Sequence, residues 1–373
     1  MIPVMRPWFG KAEEAAVAEV IASGWVAQGP RVAEFERAFA SRIGAGHGVA
    51  VSSCTTALHL ALVLAEIGPG DEVIVPSLSF IATANVVTYV GAEPVFADID
   101  PATGNLTAKT VGAALTPRTR AVIVVHQGGV PADVAEIRAA HPGLIVIEDA
   151  ACAAGSVYRD RPVGAGAELA AWSFHPRKLL TTGEGGMLTL TDADLAARAR
   201  RLREHGMSVS AADRHATGST APESYLEVGF NYRMTDLQAA VGIVQLGRLA
   251  EMVARRRELA ARYREGLAGI PGLRAVTDPP YGQTNYQSFW VALPEDFPMG
   301  RDELLAYLAK RGVSARRGIM AAHLEPAYAG ARAGELPATE WLTRNSLILP
   351  LFHAMTEADQ DQVIEALCAA AEG

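Results

Sequence analysis

The residue with the clearest potential for chemistry is a lysine, Lys178, in the segment SFHPRKLLTTGEGGM (173–187). The segment is rich in hydroxyl groups and glycines and offers few other solvating side chains. A lysine in such surroundings can lose its proton easily, and a neutral lysine amine is a nucleophile toward carbonyl compounds. Taken alone, the segment fits a solvated lysine at a turn at least as well.

A carboxylate, Asp149, ends the nearly continuous apolar run LIVIEDA (144–150). An ionised carboxylate at the end of a buried strand normally needs a partner. A protonated pyridine nitrogen would be a suitable one, because the carboxylate keeps the ring cationic and able to take up carbanion charge. The alternative is an aspartate that caps the next turn. Glu148 alternates to the opposite face of the strand and is expected to be structural.

An anion site is predicted where SSCTTALHLAL (52–62) places hydroxyls and free backbone N–H groups at a helix start directly after a strand. The more common alternative is a simple N-cap by Ser53 or Thr55. The sequence contains no GxxxxGK[ST] phosphate loop, and GAGAEL (164–169) lacks the third glycine of a dinucleotide fingerprint.

Two more side chains follow strand ends. Phe80 could stack on a flat ring or belong to the core, and His126 could contact a cofactor or cap a helix. Together, a lysine nucleophile, a strand-end acid, an aromatic platform and a phosphate cradle are the parts that bind pyridoxal phosphate (PLP).

The elements that must position these residues alternate regularly from about residue 48. Predicted strands cover 48–53, 72–77, 93–99, 120–126 and 144–150, with helices at 55–67, about 80–90 and about 131–140. This rhythm predicts a mainly parallel sheet covered on both faces, in which ligands bind beyond the carboxyl ends of the strands. That rule selects Ser52 to Thr56, Pro76 to Phe80, His126 and Asp149.

The second half of the chain is predicted to hold a long polar loop at 205–230, either functional or disordered. A helix follows, with Leu237, Val241, Val244 and Leu249 on one apolar face, and its pattern runs on into a charged stretch. We predict an α/β fold with a large domain at 1–250 and a smaller α+β domain at 251–373.

Composition restricts the function classes. Half of the 373 residues are apolar and a fifth are charged, as in a globular enzyme, and a net charge of −8 argues against nucleic acid as a partner. Three widely spaced cysteines imply no disulfide framework, and the histidines lack metal-site spacing. Without a signal sequence or a membrane-spanning apolar run, a cytoplasmic location is expected.

Over nearly its whole length the sequence resembles the DegT/StrS-type sugar aminotransferases, PLP enzymes of the aspartate aminotransferase fold (fold type I). Six motifs carry this resemblance, and the last two are highly specific. In chain order, the six motifs are SGWVAQGPRVAEFERAFA (23–40), SSCTTALHLAL (52–62), GPGDEVIVPSLSFIATANVV (68–87), VIEDAACAAGS (146–156), SFHPRKLLTTGEGGM (173–187) and GFNYRMTDLQAA (229–240).

The resemblance implies a role for each matching position. Lys178 would carry PLP on its amine, Asp149 would pair with the pyridinium nitrogen, and Phe80 would stack on the ring. The phosphate would be held by residues of the same chain and by an asparagine of a neighbouring subunit in a homodimer; these are Ser173, the backbone around Cys54 and Thr55, the Thr55 hydroxyl, and Asn231 of the neighbour.

Two cysteines depart from the family pattern. Many relatives have glycine at the position of Cys54, and glutamine or histidine at that of Cys152. A thiol is a poor hydrogen-bonding partner for the phenolic oxygen of the ring, which puts the usual contact at Cys152 in doubt. Relatives with histidine in place of the lysine perform dehydration, so the presence of Lys178 favours transamination.

The expected reaction is ping-pong transfer of an amino group, with glutamate as donor, to a keto group of a nucleotide-linked deoxysugar. In the C-terminal region, Arg316, Arg317 and His323 are candidates for binding the donor carboxylate or the sugar diphosphate, although a solvated basic turn is the alternative. A keto-cyclitol substrate, with glutamine or glutamate as donor, is the second interpretation. A non-catalytic protein with a relic PLP fold is the third, and the intact Lys178 and Asp149 argue against it.

Overall fold

The computed structural model describes residues 1–209 and 222–373. Within these ranges the strands are β1 (His47–Val51), β2 (Glu72–Pro76), β3 (Glu93–Ala97), β4 (Thr119–Val125), β5 (Ile145–Asp149), β6 (Val157–Tyr158), β7 (Arg161–Pro162), β8 (Leu169–Ser173), β9 (Gly186–Leu190), β10 (Arg274–Ala275), β11 (Gly282–Gln283), β12 (Phe289–Ala292), β13 (Arg316–Arg317) and β14 (Ser346–Leu349). The helices are α1 (Lys11–Ser23), α2 (Pro30–Ile43), α3 (Cys54–Leu64), α4 (Ala82–Tyr89), α5 (Ala108–Ala114), α6 (Val134–Ala140), α7 (Ala193–Leu202), α8 (Asp236–Gly247), α9 (Leu249–Leu267), α10 (Arg301–Lys310), α11 (Pro337–Asn345) and α12 (Glu357–Glu372).

A seven-stranded mixed sheet carries the functional region, in the order β1-β9-β8-β5-β4-β2-β3. The strands from β8 to β3 pair in parallel, and β9 and β1 add two antiparallel pairings at one edge. β2 is buried along its whole length, which is why its sequence is apolar without alternation. The predicted α/β fold with a mainly parallel, doubly covered sheet is confirmed, and the predicted strands lie within two residues of the observed ones.

Apolar clusters cover both faces of this sheet. On one face, α3, α4 and α7 bury leucine and valine side chains against the strands. On the other, Phe39 of α2 packs edge-on against Trp172 and Phe174 at the end of β8, and further apolar side chains of β2 to β5 belong to the core of the C-terminal part. Because both faces are closed, ligands have access at the strand ends.

The C-terminal part forms an antiparallel sheet in the order β10-β12-β14-β13, with α9, α10 and α12 packed beside it. The division at residue 250 remains a proposal. α9 begins at Leu249, bent by 58° from α8. Ile2, far away in sequence, forms a bridge with Val313 and so lies against the C-terminal sheet.

The apolar face predicted for α8 is only partly buried, and its last member, the buried Leu249, begins α9. Leu237, Val241 and Val244 are only half-buried, whereas the fully buried face carries Ala239, Ala240, Gly242 and others. Small residues are required there because α2 packs closely: a Cβ on Gly242 would lie 2.8 Å from the Phe35 ring. The pattern of large aliphatic residues therefore marks the outer side of this helix.

Among the described residues, no single helix combines the length and apolar content of a membrane span. Only the bent pair of α8 and α9 meets those criteria together, on length and composition alone.

Candidate active site

Lys178 lies in the connection between β8 and β9, at the carboxyl end of β8 and beside that of β5. The connection is closed by hydrogen bonds from Phe174 N to Gly185 O (2.9 Å) and from Thr182 N to Phe174 O (3.0 Å). The Lys178 amine is half-buried and lies 3.1 Å from the Cys152 thiol.

The surroundings of Lys178 in the polypeptide alone favour its protonated form. Burial lowers the pKa of Lys178, but the contact with Cys152 and the facing Asp149 carboxylate raise it, and the pKa lies above its ordinary value. A cation in a poorly solvated pocket is stabilised by facing acidic groups. Loss of the proton therefore requires a change in the charges around the amine.

Asp149, the last residue of β5, is almost fully buried at the centre of the site. Its carboxylate accepts hydrogen bonds from Ala151 N (3.1 Å) and from the Thr83 hydroxyl (3.0 Å). Burial raises its pKa, although these hydrogen bonds and the charge of Lys178 oppose that effect. A further cationic hydrogen-bond donor would stabilise the ionised form of this buried carboxylate.

Thr83 was not predicted as a site residue. It lies in the first turn of α4, donates its hydroxyl hydrogen to the Asp149 carboxylate and accepts from Ser79 Oγ at 2.8 Å. The sequence signal that could have identified Thr83 is a hydroxyl residue in an apolar helix, one turn after Phe80, which itself follows β2.

His126 and Glu148 lie beside Asp149, whose carbonyl oxygen accepts from His126 N at 3.1 Å. His126 Nδ1 accepts from Ala132 N at 3.0 Å, so its proton is on Nε2, which faces Glu148 Oε2 at 3.3 Å. Glu148 also faces Arg138 at 3.6 Å. The structural role predicted for Glu148 agrees with these contacts.

The start of α3 forms a cradle of unpaired donors. Ser53 caps the helix by accepting from Thr56 N at 3.2 Å, as the N-cap alternative predicted. The first N–H groups of a helix have no partner within it, and in the described chain the Thr55 hydroxyl makes no hydrogen bond. Gly186 is packed against this turn so closely that a Cβ would lie 2.3 Å from the carbonyl carbon of Ser53.

The other predicted cofactor contacts surround this space. Cys54 Sγ is 4.0 Å from Asp149 Oδ1, and burial, reinforced by that carboxylate, raises the pKa of the Cys54 thiol well above its ordinary value. Ser173, at the end of β8, accepts a long hydrogen bond of 3.4 Å from His175 N. Phe80 is 64% exposed, and none of the described aromatic rings packs against it.

Asn231 lies on the outside of the large sheet. Its backbone is fixed by a bridge to Glu204, while its side chain is exposed and has no hydrogen-bond partner among residues 1–209 and 222–373. The loop predicted at 205–230 falls partly on residues 210–221, outside the described residues.

The candidate substrate-binding residues occupy two positions. Arg316 and Arg317 form the exposed edge strand β13, where successive side chains point to opposite faces. His323 lies at the rim of the large sheet: its Nδ1 is 2.6 Å from Ser77 Oγ, and Ser77 follows β2 directly.

Metal ligands are not grouped in the described parts of the chain: no three His, Cys, Asp or Glu side chains there are placed to hold an ion.

Fold and site together are those of a PLP enzyme: a buried strand-end carboxylate, a lysine opposite it and a donor-lined helix start have the charges and donors that fit a pyridinium, an aldehyde and a phosphate. The sequence profile of the DegT/DnrJ/EryC1/StrS aminotransferase family matches residues 8–368. The chain belongs to this family and is an aminotransferase that uses pyridoxal phosphate for amino transfer to a sugar.

Solved structures of similar proteins cover almost the entire chain. The aminotransferase TlmJ from Streptoalloteichus hindustanus is 40% identical, with a TM-score of 0.91, over 99% of this chain and 98% of its own. DesV from S. venezuelae, solved with a ketimine intermediate, is 36% identical (TM-score 0.88, 100% and 99% covered). The PMP form of the putative sugar aminotransferase Spr1654 from Streptococcus pneumoniae is 27% identical (TM-score 0.92, 100% and 99% covered).

Proposed function

We propose that this aminotransferase converts a keto group of a nucleotide-linked deoxysugar into an amine, with L-glutamate as the donor, in a ping-pong cycle. The observation that carries the proposal is the placement of Lys178 near the buried Asp149 in a chain of the sugar aminotransferase family. The putative sugar aminotransferase Spr1654, known in PLP and PMP forms, supports the alternation of the two cofactor forms.

Three residues would hold the ring. Lys178 Nζ would bond to the cofactor aldehyde, Asp149 would accept the pyridinium N–H, and Phe80 would stack on one face. When bound, the cofactor supplies an electron sink for the carbanion left by proton removal. The exposed ring of Phe80 would gain apolar contact in this arrangement.

Donors from several elements would hold the phosphate. In one chain these are the backbone N–H groups of Cys54 and Thr55, the Thr55 hydroxyl and the Ser173 hydroxyl. A helix start is suited to a phosphate because its free N–H groups and its dipole both favour negative charge. Cys152 contacts the Lys178 amine at 3.1 Å and would flank the ring rather than fix its phenolic oxygen.

Lys178 Nζ would also move the proton. With the amino donor in the site, the free Lys178 amine would take the proton from the carbon that bears the amino group and hold it for return. With the keto sugar in the site, the same amine would deliver a proton to the carbon that receives the amino group. General acid–base work of this kind needs an amine within reach of the reacting carbon.

A homodimer would complete the phosphate site with Asn231 of the neighbouring subunit. The support is an exposed amide without a partner, on a backbone that β-bridges hold in place. Nearby apolar side chains are also exposed, including Val228 at 90%, and the outer side of α8 is only half-buried. Exposed apolar surface of this kind is typical of a contact between subunits. The reaction would take place in the cytoplasm, in keeping with three unpaired cysteines.

The direct test starts from the pyridoxamine form, prepared with glutamate. Individual keto-sugar nucleotides, matched keto sugars without the nucleotide, and keto-cyclitols are added, and the absorbance of the aldehyde form is followed. Return of that absorbance with keto-sugar nucleotides alone supports the proposal. A response only to keto-cyclitols replaces it with the second interpretation, a spectral change with glutamine but not glutamate replaces the donor, and no change with either amino acid overturns transamination.

A further inference from the structure

The residues on both sides of Lys178 are held by one side chain from the second half of the sequence. Gln287 Oε1 accepts from Leu179 N at 2.8 Å, and Gln287 Nε2 donates to Arg177 O at 2.5 Å. The Gln287 side chain is buried, so these bonds are made away from water. A single amide therefore brackets the peptide unit that carries the lysine.

The same segment also binds the chain that follows Asp149. Asn285 Nδ2 donates to Cys152 O (2.9 Å) and to Ala154 O (2.8 Å), and its Oδ1 accepts from Gln287 N (2.8 Å). Gly129 makes room for this amide, since a Cβ there would lie 1.9 Å from Asn285 Oδ1. Two residues of one loop thus fix the loops of Lys178 and of Cys152.

The loop itself is held under constraint. Tyr286, between the two amides, has a φ of 50°, a left-handed conformation that is costly for a residue with a side chain. The buried Arg256 donates to Tyr286 O (2.7 Å), Gln287 O (2.8 Å) and Leu351 O (2.9 Å). Burial lowers the pKa of Arg256 to about 9, which leaves it protonated at neutral pH. A conformation that costs free energy persists only where its surroundings enforce it.

We propose that Gln287 is a positioning residue for Lys178: it fixes the lysine backbone relative to the Cys152 loop, and thereby the reach of Nζ to the reacting carbon. The proposal rests on the role of Lys178 given under Proposed function. Displacement of a reacting group by about 1 Å can cost roughly a hundredfold in rate.

The test compares Gln287→Met with Gln360→Met. Gln360 is an equally buried amide that donates to Leu259 O at 2.9 Å, far from the site, so it controls for loss of a buried amide. In Gln287→Met, kcat should fall roughly tenfold to a hundredfold after it is divided by the fraction of Lys178 that borohydride labels with cofactor. The KM of both substrates should stay within about twofold of the unaltered enzyme. In the cofactor-free protein, the Leu179 amide should exchange with solvent at least about tenfold faster.

Gln287→Glu keeps the acceptor for Leu179 N–H and loses the donor to Arg177 O. The Leu179 amide should still exchange slowly in this variant, and kcat should be intermediate. If Gln287→Met does not fold, Gln287→Glu is compared with Gln360→Met in its place. A kcat per labelled site equal to that of Gln360→Met overturns the proposal. Absence of label on Lys178 in the unaltered enzyme instead overturns the role of Lys178 itself, whatever the exchange at Leu179.

Discussion

The inner and outer halves of the site differ in how completely one chain builds them. In the inner half, Asp149 and Lys178 are held by buried partners from α4, from the loop after β5 and from the loop before β12. In the outer half, Phe80, Asn231 and Arg316 are exposed. The difference suggests that the inner half is preorganised for a cofactor, whereas the outer half is completed by what binds there: a ring, a substrate or a second subunit.

The largest effect should come from the inner half. Lys178→Ala removes the amine that takes and returns the proton, and the rate should fall by at least about 10²–10⁴-fold. Cofactor should still bind, held by its phosphate and ring contacts, but borohydride should attach none of it to the protein. Mass spectrometry of peptides checks this, with the exposed Lys310→Ala as control. Label retained in Lys178→Ala would show that the cofactor is attached to another lysine.

Asp149→Asn should reduce turnover by roughly 10–10³-fold, because loss of an ionic partner shifts the pKa of the ring nitrogen by roughly 1–3 units. Glu148→Gln, the adjacent acid on the opposite face, is the matched control and should retain most activity. Near-normal turnover in Asp149→Asn would mean that another group protonates the ring.

The same variant should be more stable without cofactor. Burial raises the pKa of Asp149 above its ordinary 3.8, so the folded chain holds this proton more tightly than the unfolded chain. The stability that Asp149 contributes is present below pH 3.8 and is lost as pH rises through its raised pKa. Asp149→Asn should therefore melt at higher temperature at neutral pH, with the difference vanishing in acid; a lower melting temperature at neutral pH would contradict this.

In the outer half, Asn231→Ala should weaken cofactor binding by roughly 10- to 100-fold, the value of a hydrogen bond to a charged group. Subunit exchange shows whether Asn231 contributes to the site of its own chain or to that of its partner. Mixing Lys178→Ala chains with Asn231→Ala chains places both defects in one site of the mixed dimer and leaves the other site intact. At a cofactor concentration that leaves Asn231→Ala alone impaired, activity should therefore rise above that of either parent. Proven mixed dimers without such a rise would assign Asn231 to its own chain.

The smallest effect is expected at the arginines of β13. Because the strand points Arg316 and Arg317 to opposite faces, one alanine variant should raise the KM of a substrate about fivefold, and the other should leave it unchanged. Solvent limits the size of the effect, since both side chains are exposed. Kinetics at two salt concentrations check it. Unchanged KM values in both variants would remove β13 from the site.

The sequence predicted the parts whose position follows from local pattern. Strand ends near Phe80, His126 and Asp149 and the helix start at Cys54 could be located because apolar runs and caps define them. Gln287 and Asn285 could not, because their partners are distant in sequence and a polar loop residue carries no mark of what it will contact. The packing face of α8 could not be predicted for a related reason: close contact with α2 requires a small residue at Gly242, and a glycine in the sequence does not show which helix approaches it.

The bridge between Ile2 and Val313 has a consequence for how the chain reaches its folded state. A separate hydrogen bond runs from Leu351 N to Val4 O, so both residues are held by partners far later in the sequence. At roughly 5–20 residues per second, a ribosome delivers these partners on the order of tens of seconds after Ile2 and Val4. The strands of the large sheet end at Leu190, so they are available to pair before this join can form.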